Sequence, residues 1–418
     1  MISVERLQLL MGILLLNPLR LSPHGFLPRY STNASEFALL FNKFDQTLPH
    51  DGTNGRCFWW HEEPINQFDF DDLMYKFPLL FNADAKGQIP IASGPGSIFL
   101  FGHDIHFHLV ANSEKSKLKK ELLKKWILYD WYFFFHGFAA LDWYSEFKYF
   151  IFKESKFDKV FICLNHNISK NRSYRLYLLS LIKSNSLQKF GHISSPLLSQ
   201  QLIKKEIFDN NSKLSRQAKL HIFKNLYPDA RPVILDACDY NNASATVGDL
   251  LDTNANSTNL HTKCLWHVIT ETVFYEEKLH LTEKVFKPIA IQRPFILVAA
   301  PGNLQYLKDY GFKTFDQWID ESYDTESDPN IRLEKIVSEL EKLCKLTSIE
   351  LTNMYEEMQE ILLFNHDHFY GKFKEMIVNE LVDNFEGCVK QYNLGLSKRF
   401  QLPIENINFD SAKRLLLS

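Results

Sequence analysis

The sequence predicts an α/β protein of two domains. Three observations lead there. At 418 residues the chain is too long for one ordinary core. Short apolar runs that end in polar turns alternate with segments of helical period. The polar groups also collect just past the C-terminal ends of those runs, the edge at which open α/β sheets bind ligands. The expected boundaries are an N-terminal α/β domain at 1–156, a second α/β domain at 157–365 and a helical tail at 366–418.

In the first half, Cys57-Phe-Trp-Trp reads as a buried strand that ends in the turn His61-Glu62-Glu63-Pro64. Ser97 to Gly102 and Ile105 to Glu114 read as two further strands, followed by a lysine-rich helix from about Lys115. Ser93-Gly94-Pro95-Gly96 is a tight turn; it lacks the lysine and spacing of a phosphate loop. The aromatic stretch Trp126–Phe150 is expected mainly to pack the core. Within it, His136 and Trp143 are candidates for a sugar-stacking platform on the acceptor side, together with His61.

The second half opens with Lys159-Val-Phe-Ile-Cys-Leu164, a buried strand. A polar loop, Asn165 to Arg172, and a helix from about Ser173 to Ser184 follow. Lys170, Arg172 and Arg175 sit where basic groups oppose the helix dipole, so the placement asks for an anion. A solvated basic turn is the competing reading. Residues 236–262 are dominated by Asn, Asp, Ser and Thr and read as loop. Trp266–Ile269 is apolar and ends at Thr270-Glu271. Thr282-Glu283-Lys284 opens a helix, Pro294–Ala300 is a buried strand, and Pro301-Gly302-Asn303 turns at its end. From Asn330 the chain is helical through Leu363.

Thr282 and Glu283 have the chemistry of a helix cap. At a cleft the same groups suit a nucleotide: a carboxylate accepts both hydroxyls of a ribose diol, and Lys284 and Lys287, three apart, can neutralise a diphosphate. Both readings stand at this level.

Composition removes several classes. The net charge of -3 gives no reason to expect nucleic acid. The six cysteines are scattered, which argues against a disulfide framework or a metal cluster. His103, His106 and His108 lack a matching carboxylate, and His366 and His368 fit no zinc spacing, so no metal is expected. Leu9–Leu16 is far shorter than a membrane span, and Asn17-Pro18 interrupts it. No transmembrane segment and a cytoplasmic location are expected, with the Asn-x-Ser/Thr sequons as chance matches.

Beyond these readings, the C-terminal half resembles the donor half of a GT-B glycosyltransferase, two Rossmann-like domains facing a cleft. Within that class it is similar to the α1,3-fucosyltransferase family. The residues that carry the resemblance are Glu271, the spacer Thr272–Leu281, Thr282-Glu283-Lys284 and Arg293-Pro294-Phe295. The wider run from Thr282 to Asp324 is also similar to proteins of large-genome phages and viruses labelled as glycosyltransferases. One departure stands out: Ile269-Thr270-Glu271-Thr272 replaces the family's Phe-Glu-Asn, which leaves the sugar and base open.

The resemblance implies transfer of a sugar from a nucleotide-sugar co-substrate to a glycan or other hydroxyl acceptor, with inversion and without metal or further cofactor. It implies that Glu283 binds the donor ribose. Lys284, Arg172 and Arg175 would face the diphosphate, and Glu271 the sugar or diphosphate. It places the general base in the N-terminal domain, at Glu62 or Glu63, with Asp104 behind them. The alternative is a non-catalytic carbohydrate-binding or virion structural protein that retains the fold.

Overall fold

A computed structural model describes residues 157–235, 261–275 and 279–394 continuously, with isolated positions at 134–149 and 410–417 and a few two-residue strands before residue 129. The chain divides into two compact units: residues 143–373, and residues 1–142 with 374–418. In the latter, Trp60–His61 pairs antiparallel with Ser97–Ile98. Glu62, Glu63, Asp104 and Trp143 lie outside the described residues.

Residues 143–373 hold a mixed α/β region, a four-stranded parallel sheet flanked by helices. Strand β1 is Lys159–Leu164, β2 Gly191–Ser194, β3 Cys264–Thr270 and β4 Phe295–Val298. The order across the sheet is β4-β3-β1-β2. Register aligns Phe161 with Gly191, Phe161 with Trp266 and Phe295 with His267. All seven residues of β3 are buried, as a central strand covered on both faces requires.

The connections follow from local chemistry. Helix α1 (Tyr174–Ser184) leads from β1 to β2. Helices α2 (Gln200–Phe208) and α3 (Arg216–Asn225) each start at a serine, Ser199 and Ser215, that caps the third amide beyond it. Helix α4 (Glu283–Ala290) turns Val285, Phe286 and Ile289 inward and leads to β4. After β4, Gly302 takes a left-handed φ of 78°, which a glycine adopts without strain, and α5 (Asn303–Asp309) begins.

The helical run expected from Asn330 is three helices: α6 (Pro329–Cys344), α7 (Ser348–Glu357) and α8 (Gln359–His368). A reciprocal cap between Thr347 and Glu350 separates α6 from α7. A π-helical turn, Phe369–Phe373, follows α8 and stacks Phe369 on Phe286 at 5.2 Å.

The core lies on both faces of the sheet. Trp266 and Phe295 meet Phe315 edge-on at 5.6 and 5.2 Å. Each such ring contributes about 2–3 kcal/mol by leaving water. Cys163, Cys264 and Cys344 are buried and unpaired, and burial pushes their thiols up to about 11, 12 and 12. They serve as small hydrophobes.

Two buried histidines add a constraint. The His267 Nε2–H donates to the His261 carbonyl at 3.0 Å, and the rings stack at 5.5 Å. Desolvation holds His267 down at about 3 and His261 well below its ordinary value.

Two outcomes follow. A methyl group at Gly191 would meet the Phe161 ring, which is fully buried, so Gly191→Ala is expected to cost about 1–3 kcal/mol in urea unfolding. His267 stays neutral when folded and protonates when unfolded. Its share of stability is complete above the ordinary histidine value and is lost as pH falls from about 6.5 toward 3. From pH 7 to 5 that loss is about 2 kcal/mol. It should disappear in His267→Gln, which keeps an N–H donor, when the two unfolding curves are compared.

Candidate functional site

The sheet order places a switch point between β1 and β3. Chain leaving β1 crosses to β2 on one side, and chain leaving β3 crosses to β4 on the other. The loops diverge there at the C-terminal edge, where α/β sheets hold ligands. The expected donor residues are distributed around this point.

Arg175, in the first turn of α1, is buried at 4 % exposure beneath this edge. It donates to the Asn167 carbonyl at 2.8 Å, the Thr270 carbonyl at 2.6 Å and the Glu271 carbonyl at 3.2 Å. Its Nε donates to the Tyr174 hydroxyl, which in turn donates to the Glu271 carbonyl at 2.5 Å. The guanidinium therefore ties the β1–α1 loop to the end of β3.

Glu271 is fully buried. Its Oε1 accepts the Thr282 amide at 3.0 Å, and its Oε2 accepts the Thr282 hydroxyl at 2.5 Å and the Thr272 amide at 3.3 Å. Desolvation raises its pKa, and the Lys284 charge and the Thr282 hydrogen bonds oppose that rise. The eleven-residue separation of Glu271 and Thr282 is thus a direct contact.

Thr282 is the N-cap of α4. Lys284 Nζ donates to the Thr282 hydroxyl at 3.0 Å and to Glu283 Oε1 at 2.9 Å. The Glu283 side chain is 13 % exposed and that of Lys284 38 %. Lys287 serves another neighbourhood: its positive charge helps depress His261 and His267. The two lysines read as a pair from their spacing act at different places.

The β1–α1 loop is built by its own polar groups. Asn167 Oδ1 accepts the Ser169 amide and hydroxyl, both at 3.1 Å. Lys170 takes a left-handed φ of 54°, and its amide donates to the buried Glu206 carboxylate at 3.1 Å. Glu206 is raised by desolvation, against that hydrogen bond. Arg172 is half-buried, and its guanidinium has no hydrogen-bond partner among the described residues. It and the exposed Lys170 are the basic side chains of this turn.

Several groups around the site escaped the sequence reading. Tyr144 is fully buried, its carbonyl accepts the Tyr370 hydroxyl at 2.5 Å, and its own hydroxyl has no partner among the described residues. Desolvation raises its pKa well above the ordinary value, with added effect from the Glu283 and Glu271 charges. Phe274 stacks on Tyr174 at 4.1 Å and carries the Arg332 guanidinium 4.2 Å above its ring. Asp324 caps α5 by accepting the Leu304 and Gln305 amides at 2.9 and 3.1 Å, so a carboxylate of the chain already fills that helix start.

Of the residues expected to bind the acceptor, His61 lies in the strand that pairs with Ser97–Ile98, and His136 lies half-buried in a helical stretch of its unit. His366 Nε2 bonds the Phe147 carbonyl at 3.1 Å and His368 Nε2 the Tyr310 carbonyl at 2.7 Å, so both histidines are spent within the fold. Among the described residues no cluster of three or more His, Cys, Asp or Glu is placed to hold a metal ion. No helix among them is long and apolar enough to cross a membrane. No family model, no curated protein and no solved structure matches this chain.

The geometry sets an expectation for two positions. Arg175→Met removes the guanidinium donor from the Thr270 and Asn167 carbonyls at about 1–3 kcal/mol each, so a loss of at least about 2 kcal/mol is expected in urea unfolding. Lysine should restore little of it, because a single ammonium does not span the fork. Thr282→Val removes a donor from the buried Glu271 carboxylate and should cost about 1–3 kcal/mol.

Proposed function

We propose that this chain is a glycosyltransferase that moves a sugar from a nucleotide-sugar donor to a hydroxyl acceptor, with inversion. One observation carries the reading. A continuous run of hydrogen bonds, from Asn167 through Arg175, Glu271 and Thr282 to Lys284 and Glu283, joins the β1–α1 loop, the end of β3 and the start of α4 at the switch point. That arrangement holds Glu283 and Lys284 on a hydrogen-bonded frame at the sheet's C-terminal edge, and Arg172 lies on the β1–α1 loop that the frame ties down.

In this reading Glu283 accepts the ribose hydroxyls. Lys284 and Arg172 stabilise the charge that builds on the departing diphosphate, a task that cationic side chains perform in a water-poor site. Arg175 and Glu271 are positioning residues. The proton of the acceptor hydroxyl goes to Glu62 or Glu63.

A second reading has its own support. Arg175 and Glu271 spend their polar atoms inside the fold, which suits a carbohydrate-binding protein with no donor site. A thermal-shift series with GDP, UDP, CMP and their sugars separates the two. A nucleotide at a hundred times its Kd adds about 2.7 kcal/mol to the folded state. The expected outcome is stabilisation by one nucleotide, lost in Glu283→Ala and in Arg172→Ala. No shift with any nucleotide, with a shift by free sugars, would reject the transferase reading in favour of the second.

A further inference from the structure

Helix α3 is apolar on two faces. Ala218, Ile222 and the following Leu226 are buried against the domain. On the other side, Leu220 and Phe223 stand 63 % and 51 % exposed, and on α2 Phe208 is 75 % exposed. Exposed apolar side chains that gather into one patch with a polar rim mark an interaction site.

These groups form one surface. Leu220, Phe223 and Tyr227 follow at three- and four-residue spacing, and Phe223 stacks on Tyr227 at 5.1 Å. Lys204 Nζ lies 5.6 Å from the centre of the Tyr227 ring, and Phe208 is one turn along α2 from Lys204. Lys224 lies one turn from Leu220. The charge is one-sided: residues 200–231 carry seven Lys and Arg against three acids, in a chain whose net charge is -3. Of the three acids, Glu206 is buried and Asp229 pairs with Lys183 at 2.7 Å.

We infer that the α2–α3 surface docks on an anionic membrane, with Phe208, Leu220 and Phe223 entering the headgroup layer and the lysines facing the phosphates. Aliphatic and phenyl tips ringed by lysine are what an amphipathic helix presents to such an interface. Each lysine near a negative leaflet adds about 1 kcal/mol, so Lys204 and Lys224 together strengthen binding on the order of tenfold or more. Lysine stems also lie along apolar surface while their heads stay wet. The inference does not depend on the chemistry at the switch point.

The test is co-sedimentation of the full chain with vesicles of phosphatidylcholine alone and with phosphatidylserine added. Binding on the order of tenfold tighter to the mixed vesicles is expected, falling as salt is raised. Phe208→Ser with Phe223→Ser should abolish it, and Lys204→Glu with Lys224→Glu should reduce it to the level of neutral vesicles. Both variants should melt with the wild type, because the replaced groups are exposed. Failure of the wild type to bind either vesicle, or binding that neither variant changes, overturns the inference. So does a concentration-dependent dimer that Phe223→Ser dissolves, which would make this an interface between copies. Capture of a single-stranded oligonucleotide without vesicle binding would assign the surface to nucleic acid instead. A lowered melting temperature in the variants, without vesicle binding, would mean that the chain covers this surface itself.

Discussion

The C-terminal edge of the sheet depends on one buried guanidinium. Where β1 and β3 end, their connections part in opposite directions, and carbonyls past the last ladder bond point into the gap. Each such carbonyl is costly if left dry and unpaired. Arg175 supplies several donors in a rigid plane and reaches Asn167, Thr270 and Glu271 together. No other side chain presents so many donors in a fixed fork. With that fork in place, the position of Glu271 is set, and through Thr282 so is the start of α4.

The same device recurs twice. Arg332 is buried, donates to the Phe274 carbonyl at 2.6 Å and lies over the Phe274 ring; desolvation lowers it to about 10. Arg293 is buried, donates to the Thr262 carbonyl at 3.0 Å and lies 5.0 Å from the Tyr355 ring. Each guanidinium is set against an aromatic face, Tyr174 in the case of Arg175. Arginine suits this placement because it is weakly hydrated and attracted to ring faces. The domain thus joins its loops with cations that bind main chain.

This use of polar groups decides what is left for a ligand. Arg175 and Glu271 have spent their hydrogen bonds inside the fold, whereas Arg172 has not. Lys284 and Glu283 hold each other at the start of α4 with part of each side chain in reach of solvent. Rigid groups behind and accessible charges in front is the division of labour a binding site needs, since the supporting shell sets the precision of the contacts.

By itself the sequence determined the elements with strong local signals. Lys159–Leu164 is legible to the residue because six consecutive apolar-rich positions end in a polar loop, and α4 begins after Thr282 as its cap indicates. Strand β2 was not legible: Gly191-His-Ile-Ser is short, half-buried and nearly devoid of apolar signal, and only pairing with β1 makes it a strand. The helical period after Asn330 was legible, but its division at Thr347 was not, because the pattern continues across the cap. At the site, residue types and spacing singled out Arg172, Arg175, Glu271, Thr282, Glu283, Lys284 and Lys287, whereas their roles came only from tertiary structure. Arg172 and Arg175 look alike three residues apart, yet the turn of α1 buries one against the end of β3 and leaves the other at the loop. Lys284 and Lys287 part in the same way, one toward Glu271 and one toward the buried histidines. Sequence spacing specifies a helical face, but burial and the partner across it depend on how the strands are ordered, which is a property of the whole sheet.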